Sequence, residues 1–155
     1  MPVDQIVQPT TQEGETYIAS GNVIALHQFD PAGAGVILSG QLVSLQNLTA
    51  PSTGPVLIRQ STTVVDFKLL GIAINAPTGG YLPGSIVQVV VEGFVLALFD
   101  AHNTTAGHLG LQSVTTAGTL VDAAAATNAQ TLGVVLEAVT IASGTALVPF
   151  YVHKM

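Results

Sequence analysis

The sequence contains no cysteine and no tryptophan, and charged residues make up only 8% of it. Without cysteine there is no disulfide, no thiol nucleophile and no cysteine-built zinc site. The scarcity of charge is as informative, because an average soluble domain carries roughly 25%. Only Arg59, Lys68 and Lys154 are basic, against nine acidic residues, which gives a formal net charge of −6. Nucleic-acid binding depends on Lys and Arg neutralising phosphates, and anionic membranes attract the same residues. Three scattered cations serve neither, so the expected partners include no nucleic acid and no membrane. Apolar runs stop well short of the ~20 residues of a membrane helix. Met1-Pro2-Val3-Asp4-Gln5 has no basic stretch leading into an apolar one, so no signal peptide is expected.

Hydrophobic residues, by contrast, make up 48% of the 155 residues. A chain of that length suits one domain with a sizeable core. With so little charge, its surface must be neutral polar or covered by other chains. Large apolar patches on soluble proteins mark interaction sites, so part of the surface is expected to be covered.

One motif occurs twice. Leu69-Leu70-Gly71-Ile72-Ala73-Ile74-Asn75-Ala76 is echoed by Thr131-Leu132-Gly133-Val134-Val135-Leu136-Glu137-Ala138. A glycine turn follows each copy, Gly79-Gly80 through Gly84 and then Ser143-Gly144. A β-rich run follows each turn, Ile86–Val91 and Ala146–Val152. Short apolar runs precede both copies, over Gly40–Gln46 and Gly107–Gln112. Gly and Pro punctuate the chain every 8–12 residues or so, the spacing of a compact all-β sandwich or barrel. The expected fold is all-β, or mainly β with one short helix: a β-barrel of two related strand-turn-strand halves over residues 17–155. The helix is expected in Val121–Gln130, where Ala123–Ala126 has good helix propensity and Asp122 is placed to cap it.

Residues 1–16 are polar and read as an extended N-terminal arm. Val3, Ile6, Val7 and Pro9 are its candidate anchors on a neighbouring subunit or surface, since strand addition is a common mode of peptide docking. Extended, the arm reaches about 54 Å.

Candidate chemistry is sparse. Asp100, His102 and His108 are possible metal ligands by residue type, but no helix projects them from one face, and surface-loop residues with a turn-forming Asp are the expectation. His27 and Asp30 flank a turn without the strained Gly-x-Ser-x-Gly elbow that a nucleophilic serine needs. Glu92 and Glu137 hold unequal positions in the two repeats and do not make a matched acid/base pair. The glycines join strand to strand, not strand to helix, so they form no phosphate cradle. Neither an enzyme nor a cofactor is indicated.

The pattern Ser20-Gly21-Asn22-Val23, Leu70-Gly71-Ile72-Ala73, Pro83-Gly84 and Val87-Gln88-Val89-Val90-Val91-Glu92-Gly93 resembles the capsid decoration, or cement, proteins of tailed double-stranded DNA bacteriophages. The second copy supplies Leu132-Gly133-Val134-Val135 and Gly144, but ends in Val148–Val152 without the closing glycine. The resemblance covers residues 18–153 and leaves Asn47–Pro55 and the Ala-rich stretch unexplained. It implies a β-tulip domain that trimerises and clamps neighbouring major capsid protein subunits on the outer face of an expanded shell. It also implies a virion protein made in the host cytoplasm. A tail or fibre component is the structural alternative, and a small-molecule-binding or hydrolytic β-barrel the alternative of another class.

Overall fold

The computed structural model describes residues 16–19, 21–46, 56–63, 68–100, 102–125 and 131–153. They form ten strands: β1 (Thr16–Ala19), β2 (Asn22–Gln28), β3 (Leu42–Leu45), β4 (Ile58–Gln60), β5 (Leu69–Ile74), β6 (Ile86–Phe99), β7 (Leu109–Gln112), β8 (Leu120–Ala123), β9 (Thr131–Val135) and β10 (Ala146–Val152).

The long β6 organises the fold. Its second half pairs antiparallel with β10, β10 with β9, β9 with β7, and β7 with β8. A single parallel pair, Phe99 with Leu120, brings β8 back to β6 and closes a five-strand mixed barrel. The first half of the chain repeats the plan. β2 pairs with the start of β6, β6 with β5, β5 with β3 and β3 with β4. The parallel bridge Phe29–Ile58 then returns β4 to the end of β2. The repeat in the sequence is therefore a repeat in pairing. Even its irregularities recur, with a register shift after Val43 in β3–β5 and after Gly110 in β7–β9.

The two halves share β6. Its first half serves as the last strand of the first unit, and its second half as the first strand of the second. Glu92-Gly93, which reads in the sequence as a break, lies inside one continuous strand. Gly93 takes φ 124°, and a Cβ there would lie 2.0 Å from Asn22 Oδ1. Only glycine lets the strand pass from one unit to the other beside the β1–β2 turn.

The first unit encloses one core, and a second core spans both units, taking in Ile24, Leu42, Ile72 and Val90 of the first. Phe29, Ile37, Val43, Ile58, Ala73, Val87 and Val89 fill the first. Phe99, Leu120, Leu132, Val148, Phe150 and Val152 fill the second, where the Phe99 and Phe150 rings meet edge to face at 5.7 Å. Burial of each large aliphatic or aromatic side chain stabilises by roughly 1.5–3 kcal/mol. Between the units, Leu42 N–H donates to Gly118 C=O at 2.8 Å, Gly118 N–H to Ser61 C=O at 2.9 Å, and Leu98 N–H to Gly40 C=O at 2.8 Å.

Three expectations are corrected. The expected helix is displaced: Val121–Ala123 lies in β8, where the ladder with Leu109–Leu111 outweighs the good helix propensity of alanine. Residues 126–130 lie outside the described residues, and Asp122 binds His108 instead of capping a helix. Val36–Leu38, apolar and β-branched enough in sequence for a short strand, makes only a single bridge, Ile37 with Tyr81. Thr16 belongs to β1 and not to the arm. The arm anchors Val3, Ile6, Val7 and Pro9 lie outside the described residues, as do Val64, Val65 and Phe67 of an expected strand.

Candidate functional site: an apolar groove on the shared strand

Strand β6 is apolar at nearly every position from Phe94 to Phe99, so one of its faces must point outward. Ala97 and Phe99 turn into the barrel; Phe94 and Leu96 turn out and are 63% and 53% exposed. On β10 the partners of this outer face are Leu147, Pro149 and Tyr151, opposite Leu98, Leu96 and Phe94 respectively. Leu147 is 49% exposed, and the Tyr151 ring packs edge to face on Phe94 at 4.8 Å.

Beside this face runs an open groove of about 400 Å³. Asn22, Ser39, Gly40, Asn75, Leu96 and Leu147 contribute to its lining. Hydrogen-bond parity shows what the β6 edge offers there. Pro149 has no N–H, and its C=O accepts from Leu136 at 2.9 Å, on the side away from β6. Leu96, opposite Pro149, therefore directs its own N–H and C=O away from β10, toward the groove. On the same edge Phe94 N–H donates to Asn22 Oδ1 and Phe94 C=O accepts from Asn22 Nδ2, both at 2.8 Å. Leu98 N–H is taken by Gly40. Leu96 sits between these two closures, and no hydrogen bond from a described residue outside the ladder meets its backbone groups.

The polar candidates from the sequence sit elsewhere and do not converge. His102 Nδ1 donates to Asp100 Oδ1 at 2.8 Å, while His108 Nδ1 donates to Asp122 Oδ2 at 2.7 Å across the β7–β8 pair. Among the described residues no group of three His, Asp or Glu is placed to hold a metal. His27 reaches the Val56 carbonyl at 3.3 Å, and Asp30 pairs with Arg59, whose Nη2 lies 2.6 Å from Oδ2. Glu92 stands on the outer rim, 3.9 Å from His153, and Glu137 is exposed.

Asp100 corrects the surface-loop expectation, since its residue is only 3% exposed. It accepts from the Ser113 hydroxyl, from Thr115 Oγ1 at 2.8 Å and from His102. Burial pushes its carboxyl up, but the Ser113, His102 and Thr115 donors outweigh burial and hold it below the ordinary carboxylate range. Serine and imidazole both donate to this carboxylate, so the imidazole does not bridge hydroxyl and carboxylate as a nucleophilic triad requires. The cluster closes the barrel instead: Asp100 N–H donates to Leu120 C=O at 3.0 Å. Asp30 holds the matching place in the first unit, its N–H donating to Ile58 C=O at 2.9 Å.

The groove-side residues Phe94, Leu96 and Leu147 were not among the sequence candidates. The available signal was an apolar residue at every position of Phe94–Phe99, which leaves one face without a core to enter.

No protein-family model matches the chain, and no curated protein matches it either.

Proposed function

We propose that this chain is a structural binding protein: a homotrimeric capsid decoration protein that sits on the outside of an expanded tailed-phage shell and clamps neighbouring major capsid subunits. The supporting observation is exposed apolar surface on a framework whose strands are already paired in rings. One cluster is the β6–β10 face of Phe94, Leu96 and Leu147; another is Leu38 and Leu82, which flank the Ile37–Tyr81 bridge. A cement protein needs two such surfaces, one for its own copies and one for the shell. Binding at many symmetry-related positions then sums weak contacts into avidity.

Co-sedimentation with capsids of the phage that encodes the chain tests the reading. Saturable binding to expanded shells, weak binding to unexpanded ones, and a raised shell-rupture temperature are expected. Loss of affinity on removal of residues 1–15 is expected as well, through Val3, Ile6 and Val7. Absence of binding to expanded shells overturns the proposal.

A further inference from the structure

We infer that the Phe94–Leu96–Leu147 face is where copies of this chain meet one another, with the groove beside Leu96 receiving backbone of the adjoining copy. The inference rests on the homotrimer reading and adds the location of the contact.

Three observations single out a second copy as the occupant. The first is electrostatic. A chain of net charge −6 repels its copies wherever acidic surface meets acidic surface. The Phe94, Leu96, Leu98, Leu147, Pro149 and Tyr151 face carries no charged group, and Glu92 and His153 stand only at its rim. Like copies can approach there without penalty, while a basic partner would be drawn to acidic surface elsewhere.

The second is area. Phe94, Leu96 and Leu147 are each about half exposed or more, and Tyr151 and Pro149 lie beside them partly exposed. Together they present on the order of 350 Å² of apolar surface, within the range of patches that mark interaction sites.

The third is the backbone of Leu96. A lipid chain or other hydrocarbon lying in the groove would strip water from its N–H and C=O and return no hydrogen bond, at about 1–3 kcal/mol for each group. A polypeptide brings its own donors and acceptors. In a threefold assembly the contacts are head-to-tail, so a face turned toward the axis meets the flank of the next copy's face and not its own mirror image.

The test is the solution mass of Leu96→Asp, an exposed position where a charge leaves the core untouched, beside Leu82→Asp as an equally exposed control. Leu96→Asp is expected to raise the concentration for half-dissociation at least ~100-fold, with unchanged circular dichroism. Leu82→Asp is expected to keep the wild-type mass. A cysteine-free chain permits a second readout, with Phe94→Cys, Leu96→Cys and Leu147→Cys oxidised separately. At least one is expected to give covalent dimers, reaching no more than two of every three chains because a trimer has an odd number of thiols. A trimer that survives Leu96→Asp, with no cross-link from any cysteine variant, overturns the assignment of the face and leaves the trimer reading standing. A wild-type chain that stays monomeric overturns both.

Discussion

The carboxamide of Asn22 brackets the backbone of Phe94: Oδ1 accepts its N–H and Nδ2 donates to its C=O, each at 2.8 Å. The side chain thus does for one residue what a paired strand would do, at the point where β6 leaves β2 and enters the five-strand barrel. Gly93 precedes Phe94, and its φ of 124° against the Asn22 side chain is open only to glycine.

Asn22→Ala removes two hydrogen bonds and is expected to cost about 1–2 kcal/mol in urea unfolding. Gly93→Ala adds a methyl group onto the carboxamide at a positive φ and is expected to cost about 2 kcal/mol or more. Both changes act at the Asn22 carboxamide, so the double variant Asn22→Ala/Gly93→Ala should be less unstable than the sum of the singles. Strict additivity would mean that the carboxamide and the glycine are not coupled.

Gly71 and Gly133 should behave as a matched pair. A Cβ at Gly71 would lie 2.1 Å from the Val90 carbonyl oxygen, and one at Gly133 would lie 2.0 Å from that of Tyr151. In both places the obstacle is backbone of the neighbouring strand. Gly71→Ala and Gly133→Ala are each expected to lose about 2–3 kcal/mol or more, by forced displacement of that strand. A large loss at one and none at the other would contradict the equivalence of the two units.

Acid should weaken the fold through Asp30 and Asp100. The Ala32 N–H chiefly lowers the Asp30 carboxyl, with Arg59 adding to it against some burial. At Asp100 burial is outweighed by the Ser113, His102 and Thr115 donors. Both folded-state values lie below the unfolded value near 3.9. Their stabilisation is therefore complete above that pH and is lost as the pH falls through the lowered values. Urea midpoints between pH 7 and pH 2 should drop most steeply below about pH 4. Asp100→Asn should start lower at pH 7 and fall less on acidification. An acid limb of unchanged depth in this variant would remove Asp100 from the account.

Arg59 tests how much the Asp30 ion pair matters on its own. Its side chain is 42% exposed, so solvent screens the pair. Arg59→Met is expected to cost no more than about 1 kcal/mol at neutral pH, and less in high salt. A loss of several kcal/mol would show that the guanidinium acts as a buried group.

The repeat was legible because identical local demands recur in both units. Leu70-Gly71 and Leu132-Gly133 each place an aliphatic side chain in or beside a core and a glycine under a neighbouring carbonyl. Such demands leave the same letters at the same spacing. The sharing of β6 was not legible, because Glu92-Gly93 carries the same polar and glycine signature as a turn. Only Asn22, 71 positions upstream of Gly93, shows that the strand continues. β8 was misread for a related reason: Ala123–Ala126 favours helix locally, while the bonds that decide its state come from β7. The outward face of Phe94 and Leu96 was hidden by periodicity, since a strand apolar on both faces reads as doubly buried until the topology shows one side uncovered.

Light scattering of the wild-type chain across a wide concentration range tests the central claim most directly. The account predicts a stable mass near three times 15.8 kDa that persists on dilution. A mass of 15.8 kDa at every concentration would contradict it, because the apolar face on β6 and β10 would then stand uncovered in solution.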